Sequence, residues 1–156
     1  MLTLPSVLQN TIRLYGGKPA ISDAAGDLTW AEYGASIQRA AGMLQGLGIA
    51  QGQRFGIVAR NCYHQGELIY GGYWSGRIPV PINYRLAPGE IAQILNDADC
   101  RYLAIDPAFA ALLDAPEMAG WRERAFAMGP QSGETGLDDY VTLRDAASPL
   151  GPVHAE

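Results

Sequence analysis

Apolar residues recur at helical intervals through the first fifty residues of the chain. Apolar positions 4, 8, 12 and 15 predict a helix over residues 5–15, which two consecutive glycines end. Residues 19–22 and 28–29 flank a turn rich in glycine and aspartate, a pattern typical of a β-hairpin. A longer helix is predicted over residues 30–47, because Thr29 and Glu32 have the spacing of a capping box and Gly48 provides a stop.

From residue 55 onward, short apolar runs alternate with helical patterns. They predict strands at residues 55–59, 78–82, 101–105 and 124–128 and helices at 62–74, 88–96 and 108–113. Asn61 occupies the expected N-cap position of the helix over residues 62–74. This alternation implies parallel strands joined by right-handed crossovers. The sequence therefore predicts an α/β fold: a layered, mostly parallel sheet with helices on both faces, preceded by a small N-terminal hairpin.

The alternation stops after residue 128. We interpret residues 1–128 as a partial α/β domain and residues 129–156 as a turn-rich segment, in which only residues 137–147 indicate a helix. The adjacent acids Asp138 and Asp139 are interpreted as the start of that helix. Several aromatic side chains of the helix over residues 62–74 are interpreted as core packing; they are Tyr63, Tyr70, Tyr73 and Trp74.

Composition narrows the class of protein. The chain has 156 residues, of which 48% are hydrophobic and 17% charged, typical of one globular domain. The net charge is −5 and no basic run occurs, so no nucleic-acid partner is expected. Cys62 and Cys100 match no metal or redox spacing and are interpreted as reduced core thiols. No signal peptide and no membrane-spanning segment are recognised, so a cytoplasmic protein is expected.

Three ordered motifs, which together cover roughly residues 20–105, carry a resemblance to a known family. Residues 19–21 (PAI) are followed by LTWAEY at residues 28–33, LGI at 47–49 leads into GQRFGI at 52–57, and GRIPVPINYRL at 76–86 is followed by Glu90. Together they resemble the early motifs of adenylate-forming (AMP-binding) acyl-CoA synthetases. The pattern departs at Ala87, where a serine or threonine cap is common, and at Arg77, which replaces a small residue. The resemblance implies the first part of the large N-terminal domain of such an enzyme.

The resemblance also implies a reaction, in which a carboxylic acid, ATP and CoA give acyl-CoA, AMP and pyrophosphate. The parent enzyme would use ATP, Mg²⁺ and CoA through motifs that lie downstream of those found here. We therefore expect no catalytic residue, no metal ligand and no bound cofactor in this chain, and a structural role beside the remainder of the parent. Residues 132–136 (SGETG) superficially resemble the family's phosphate loop, but Glu134 adds negative charge, so we interpret them as a surface turn.

Two residues are candidates for ligand contact. Arg85 follows a predicted parallel strand at its carboxyl end, where α/β sheets bind ligands, and its guanidinium suits a CoA phosphate. The competing interpretation is a surface ion pair between Arg85 and a nearby carboxylate such as that of Glu90. His64 lies in the first turn of the helix predicted over residues 62–74, again at the carboxyl end of a strand, and could line the acyl or nucleotide cleft. A lone histidine at a helix end, however, more often serves a local hydrogen bond. His154 is interpreted as solvated.

Two other functions stay open at this point. The chain could be a self-standing truncated α/β module that binds a partner through an open sheet edge. A flavodoxin-like nucleotide binder is the other alternative, which the absence of a glycine-rich first turn disfavours. For an isolated fragment, exposed apolar surface and an unpaired strand edge predict self-association.

Overall fold

The computed structural model describes residues 3–24, 26–129 and 134–153 of the chain. The helices are α1 (Leu4–Tyr15), α2 (Trp30–Gly46), α3 (Tyr63–Trp74), α4 (Pro88–Asp97) and α5 (Tyr140–Ala146). The strands are β1 (Pro19–Asp23), β2 (Gly26–Thr29), β3 (Arg54–Val58), β4 (Ile78–Pro81), β5 (Cys100–Ile105), β6 (Ala125–Ala127) and β7 (Asp138–Asp139). Three 3₁₀ segments, Pro107–Asp114, Pro116–Met118 and Arg122–Arg124, connect β5 to β6.

Five strands form one parallel sheet in the order β4-β3-β5-β6-β7, and β1 and β2 form a separate antiparallel hairpin. Side chains of β3 alternate between two cores. Phe55 and Ile57 pack with residues of α2, α3 and α5, whereas Val58 packs with residues of α4 and the first 3₁₀ segment. The predicted α/β fold, with helices on both faces of a parallel sheet and a small hairpin, is therefore confirmed.

Helix α2 begins as its sequence predicts. Thr29 Oγ1 accepts a hydrogen bond from Glu32 N at 3.3 Å, and Glu32 accepts one from Thr29 N at 2.8 Å. Both bonds satisfy backbone donors that have no partner within the helix. The helix packs closely against α3, where a Cβ added at Gly71 would lie 2.9 Å from the Ala40 side chain. The absence of a side chain at Gly71 thus permits the close approach of the two helices.

Helix α3 begins one residue later than predicted. Cys62, not Asn61, is its N-cap, and Cys62 makes no side-chain cap hydrogen bond. The carboxylate of Asp23, in the hairpin, accepts a hydrogen bond from Tyr63 N at 2.7 Å instead. Cys62 is exposed while Cys100 is buried, so the interpretation of both cysteines as core thiols is wrong for Cys62.

Two prolines lie in β4, at one edge of the sheet. Ile78 N donates to Gln53 O at 2.9 Å and Ile82 N donates to Ile57 O at 2.8 Å, so even-numbered nitrogens of this segment face β3. Pro79 and Pro81 occupy the intervening positions, whose nitrogens face away from β3.

The last described segment runs back over the helices. Asp139 caps α5 by accepting a hydrogen bond from Thr142 N at 2.9 Å, as expected of a helix start, and it also belongs to β7. Leu150 N then donates to Gln38 O at 3.0 Å, and Trp74 Nε1 donates to Leu150 O at 2.8 Å. The boundary at residue 128 stays a prediction, and His154 lies outside the described residues. No helix in the described ranges is both long and apolar enough to cross a bilayer.

Candidate functional site

Charged side chains gather where three parallel strands end. Arg60 follows β3, Asp106 follows β5, and the loop after β4 contains Arg85. Arg60 binds Asp106 through two bonds, Nε to Oδ2 at 2.8 Å and Nη2 to Oδ1 at 3.2 Å. Asp106 also accepts a hydrogen bond from Ala108 N at 3.0 Å, which caps the following 3₁₀ segment. The pair therefore holds two loops together at this edge.

The carboxylate of Asp106 is held in its charged form. Partial burial acts to raise its pKa, but the hydrogen bonds from Arg60 and Ala108 outweigh burial and keep the pKa below its ordinary value. The Arg60 side chain is 61% exposed, so its guanidinium is accessible from solvent while it is bound to Asp106.

Two aromatic rings form a platform beside this ion pair. Tyr84 and Phe109 are stacked, with ring centroids 4.8 Å apart and an angle of 10° between the planes. The Arg60 guanidinium lies 5.8 Å from the Phe109 ring centroid, and the Arg85 guanidinium lies 5.6 Å from that of Tyr84. This edge of the sheet thus combines two cations with a stacked aromatic pair, a set that suits a flat ligand carrying phosphate.

Arg85 is exposed, and its neighbours differ from those expected. Its backbone N donates to Asn83 Oδ1 at 3.0 Å, which fixes the turn after β4. Arg85 forms no ion pair among the described residues, so the ion-pair interpretation is wrong there. Glu90 accepts a hydrogen bond from Ala87 N at 2.8 Å, which is one half of a capping box, whereas Ala87 has no side-chain oxygen to supply the other half.

His64 lies in a different environment. It is 8% exposed, and its ring centroid lies 4.1 Å from that of Tyr63 and 5.6 Å from that of Tyr140. Burial lowers the pKa of His64 and favours its neutral form. A role for His64 in lining a cleft stays a prediction, as does a phosphate contact by Arg85.

Arg77, the other departure from the family pattern, is buried, and within the described ranges it forms no ion pair with an acidic residue. Its Nε donates to the carbonyl of Ile49, and its Nη1 donates to Ser75 O at 2.9 Å. Burial lowers the pKa of the Arg77 guanidinium. The long side chain therefore ties the turn before β4 to the end of α2.

The segment that resembles a phosphate loop is only partly described. Ser132 and Gly133 lie outside the described residues, whereas Thr135 O accepts a hydrogen bond from Arg122 Nη1 at 3.1 Å. Arg122 also binds Asp114 Oδ1 at 2.6 Å. A cavity of about 380 Å³ lies beside this contact, and Glu134 is among its lining residues. The one cation at this cavity is thus already bound to a carboxylate, among the residues described.

A buried charged cluster was missed from the sequence. Glu67, in α3, is fully buried and accepts hydrogen bonds from Arg144 Nη1 at 2.7 Å and Tyr140 Oη at 3.1 Å, both in α5. Burial, reinforced by the negative charge of Glu67, raises the pKa of Tyr140 well above its ordinary value. Glu67 is the one acidic residue of a mostly apolar, glycine-rich helix, and a carboxylate in that setting is a signal for a buried partner elsewhere.

Among the described residues, no three histidine, cysteine, aspartate or glutamate side chains are grouped in a way that could hold a metal ion.

Comparison with known proteins decides the family. The model of the AMP-binding enzyme family matches residues 8–136. This chain belongs to the AMP-binding enzyme family. The resemblance predicted from its three motifs is therefore confirmed, and the chain matches the N-terminal region of acyl-CoA ligases.

The curated relatives of this family member are ligases. It is 29% identical over 140 residues to a 3-hydroxybenzoate–CoA ligase of Aromatoleum sp. (strain CIB), covering 86% of this chain and 27% of that protein. It is 35% identical over 88 residues to the long-chain-fatty-acid–CoA ligase FadD13 of Mycobacterium tuberculosis, covering 56% of this chain and 18% of that one. The chain thus spans less than a third of the length of these relatives.

Solved structures share the fold. A benzoate CoA ligase from Burkholderia xenovorans LB400 superposes with a TM-score of 0.84 at 23% identity, covering 100% of this chain and 31% of that one. The anthranilate CoA ligase AuaEII, solved in complex with anthranoyl-AMP, gives a TM-score of 0.86 at 20% identity, covering 99% of this chain and 30% of that one.

Proposed function

We propose that this chain is the N-terminal portion of an ATP-dependent acyl-CoA ligase, which converts a carboxylic acid, ATP and CoA to acyl-CoA, AMP and pyrophosphate. The observation that carries the proposal is the family match over residues 8–136, together with relatives that are acyl-CoA ligases. The carboxylic acid is the substrate of the parent enzyme, whose remainder is the proposed partner of this chain. We assign the parent to the cytoplasm, with ATP, Mg²⁺ and CoA as its cofactors.

In isolation the chain acts as scaffold. Two of its described arginines are already bound to carboxylates: Arg60 is bound to Asp106, and Arg122 is bound to Asp114. Glu134, beside the cavity next to Arg122, adds negative charge that disfavours a polyphosphate. We therefore expect no bound ATP and no adenylation by these residues alone.

ATP–pyrophosphate exchange tests this proposal. The chain alone should give no exchange with benzoate, 3-hydroxybenzoate or a long-chain fatty acid, whereas the intact ligase containing it should exchange with at least one carboxylic acid. Exchange by the chain alone would refute the scaffold role. An intact protein that binds neither ATP nor any carboxylic acid would refute the ligase assignment.

Arg85 is the proposed contact for a CoA phosphate. Its guanidinium is exposed, forms no ion pair among the described residues, and projects from the carboxyl edge beside the Tyr84–Phe109 platform. Arginine forks bind phosphate oxygens through paired hydrogen bonds. His64, buried behind Tyr63, is proposed to shape the wall of the cleft without touching CoA.

The contact is tested in the intact ligase by comparing R85Q with the matched variant R54Q. Arg54 is also exposed but starts β3, at the opposite end of the parallel sheet. R85Q should raise the KM for CoA about tenfold, the loss of one charge-assisted hydrogen bond, and R54Q should leave it unchanged. Dephospho-CoA lacks the 3′-phosphate, so wild type and R85Q should have the same KM for it if Arg85 contacts that phosphate. An equal difference in KM with CoA and with dephospho-CoA would rule out a contact with the 3′-phosphate.

A further inference from the structure

Two polar side-chain atoms are enclosed by the chain without a hydrogen-bond partner among the described residues. They are the hydroxyl oxygen Oη of Tyr33, in α2, and the carboxylate oxygen Oε1 of Glu67, in α3. Tyr33 is 2% exposed and Glu67 is 0% exposed. Folded proteins satisfy nearly all buried polar atoms, either with other protein atoms or with ordered water. Both oxygens therefore require a partner that the described side chains do not supply.

Tyr33 Oη enters the layer of α3 beside Glu67. A Cβ added at Gly66 would lie 2.5 Å from this oxygen, so the hydroxyl takes the space that a side chain at position 66 would occupy. Glu67 is the next residue along α3. Burial, reinforced by the negative charge of Glu67, raises the pKa of Tyr33, which keeps the phenol protonated and able to donate. A donor from α2 and an acceptor from α3 thus lie in one part of the interior, without a hydrogen bond between them.

The charges around Glu67 define the chemistry of a partner. Glu67 Oε2 accepts hydrogen bonds from Arg144 Nη1 at 2.7 Å and from Tyr140 Oη at 3.1 Å. Because Arg144 balances the charge of this carboxylate, a further buried ion of either sign would have no counter-charge. The partner must therefore be neutral and small, must accept from Tyr33 Oη and must donate to Glu67 Oε1. Water meets all of these conditions, and buried waters typically make two to four such hydrogen bonds.

The location of the two oxygens excludes a partner from outside the chain. Tyr33 is packed in the cluster that contains Trp74, and its ring meets the edge of Tyr70 with the centroids 6.2 Å apart. Tyr140 and Arg144 of α5 lie against Glu67. A segment of the parent enzyme beyond this chain could reach these oxygens only if α2, α3 and α5 separated. The missing partner is therefore internal to this part of the fold.

We propose that a buried water molecule bridges Tyr33 Oη and Glu67 Oε1, accepting a hydrogen bond from the hydroxyl and donating one to the carboxylate. The water connects α2 to the carboxylate that already binds Tyr140 and Arg144. Residues of α2, α3 and α5 pack in one apolar cluster on the same face of the sheet. Within that cluster the three helices thereby share a single hydrogen-bonded network.

Crystal structures of the full 156-residue chain test the site directly. Wild type should show an ordered water at about 2.7–2.8 Å from both Tyr33 Oη and Glu67 Oε1. Y33F removes one of the two partners, and because a buried water needs at least two, Y33F should lose the water. Y73F is the matched control: Tyr73 lies at the other end of α3 and is 37% exposed, so Y73F should keep the water.

Relaxation dispersion of water ¹⁷O gives an independent measurement in solution, because it counts internal waters that exchange slowly. Y33F should contain one such water fewer than wild type, and Y73F should contain the same number, while circular dichroism shows that both variants are folded. The proposal is overturned if no water lies within hydrogen-bond distance of both oxygens in wild type, whether the oxygens then bond each other or another protein group. It is also overturned if the water persists in Y33F, or if the count of internal waters is equal in Y33F and wild type.

Discussion

Replacing Arg144 by methionine removes the cation that lies against the buried carboxylate of Glu67. Glu67 is fully buried, the Arg144 side chain is 12% exposed, and their Oε2 and Nη1 atoms are 2.7 Å apart. In R144M, Tyr140 Oη would be the remaining described donor to this carboxylate. Breaking a buried pair by removing one partner costs about 3–5 kcal/mol. Because Arg144 keeps some contact with solvent, we expect a loss near the lower limit, about 3 kcal/mol.

The loss is measured by urea unfolding, followed by circular dichroism and tryptophan fluorescence. E67Q/R144M should be less destabilised than R144M, because the double variant leaves no buried charge without a partner. R101M is the matched control. Arg101 pairs with Asp99 at 3.2 Å, but both side chains are exposed, by 48% and 67%, so R101M should change the free energy of unfolding by about 1 kcal/mol or less.

Two results would refute this reasoning. One is an R144M variant whose stability lies within about 0.5 kcal/mol of wild type, the range typical of surface substitutions. The other is additivity, in which E67Q and R144M together cost the sum of their separate effects, since independent sites add and coupled ones do not.

Other predictions follow from packing and ionisation. A Cβ added at Gly42 would collide with Ser148 O, so G42A should lower the free energy of unfolding by about 1–3 kcal/mol, measured by urea titration. G46A is the control, because a Cβ added at Gly46 would have no neighbouring atom within 4 Å. Because the pKa of Asp106 is lowered in the folded chain, its stabilising contribution is present above about pH 4 and is lost as the pH falls through its folded pKa. D106N should therefore make acid unfolding less pH-dependent. If the free energy of unfolding of D106N falls with acid pH as steeply as that of wild type, this prediction is wrong. Burial raises the pKa of both thiols, that of Cys100 to about 11, but only Cys62 is exposed. A thiol reagent at pH 8 should therefore modify Cys62 and spare Cys100 in the native chain, and mass spectrometry identifies the site.

Local signals in the sequence predicted most of the fold. The capping box at Thr29 and Glu32 set the start of α2, and apolar runs located the strands that became β3 and β5. These features depend on residues within one or two turns of each other, which a sequence displays directly.

Sequence patterns failed to predict local structure where the hydrogen-bond partner comes from a distant part of the chain. Asn61 was favoured as the N-cap of α3 on its residue type, but the hydrogen bond that satisfies this helix end comes from Asp23 in the hairpin. The short strand β7 pairs through its backbone, and two aspartates give no strand signal.

The candidate site was predicted only in part. The position of Arg85 after a parallel strand was visible in the sequence. The stacking of its neighbour Tyr84 on Phe109 was not, because it joins two loops that are far apart in the chain. Arg60 and Asp106 each follow a strand that the sequence predicted. Polar residues at the ends of adjacent parallel strands were therefore the available signal for this pair.

The prolines of β4 limit what can be added to the sheet. At positions 79 and 81 the nitrogens that face outward carry no hydrogen, so an incoming peptide would find carbonyl acceptors there but no donors. A neighbouring strand could then donate hydrogen bonds to this edge of the sheet but could accept none from positions 79 and 81. Growth of the sheet by stacking copies side by side, the route by which exposed strands seed fibrils, is accordingly disfavoured at β4. Self-association, which stays a prediction for the isolated chain, would have to use another surface.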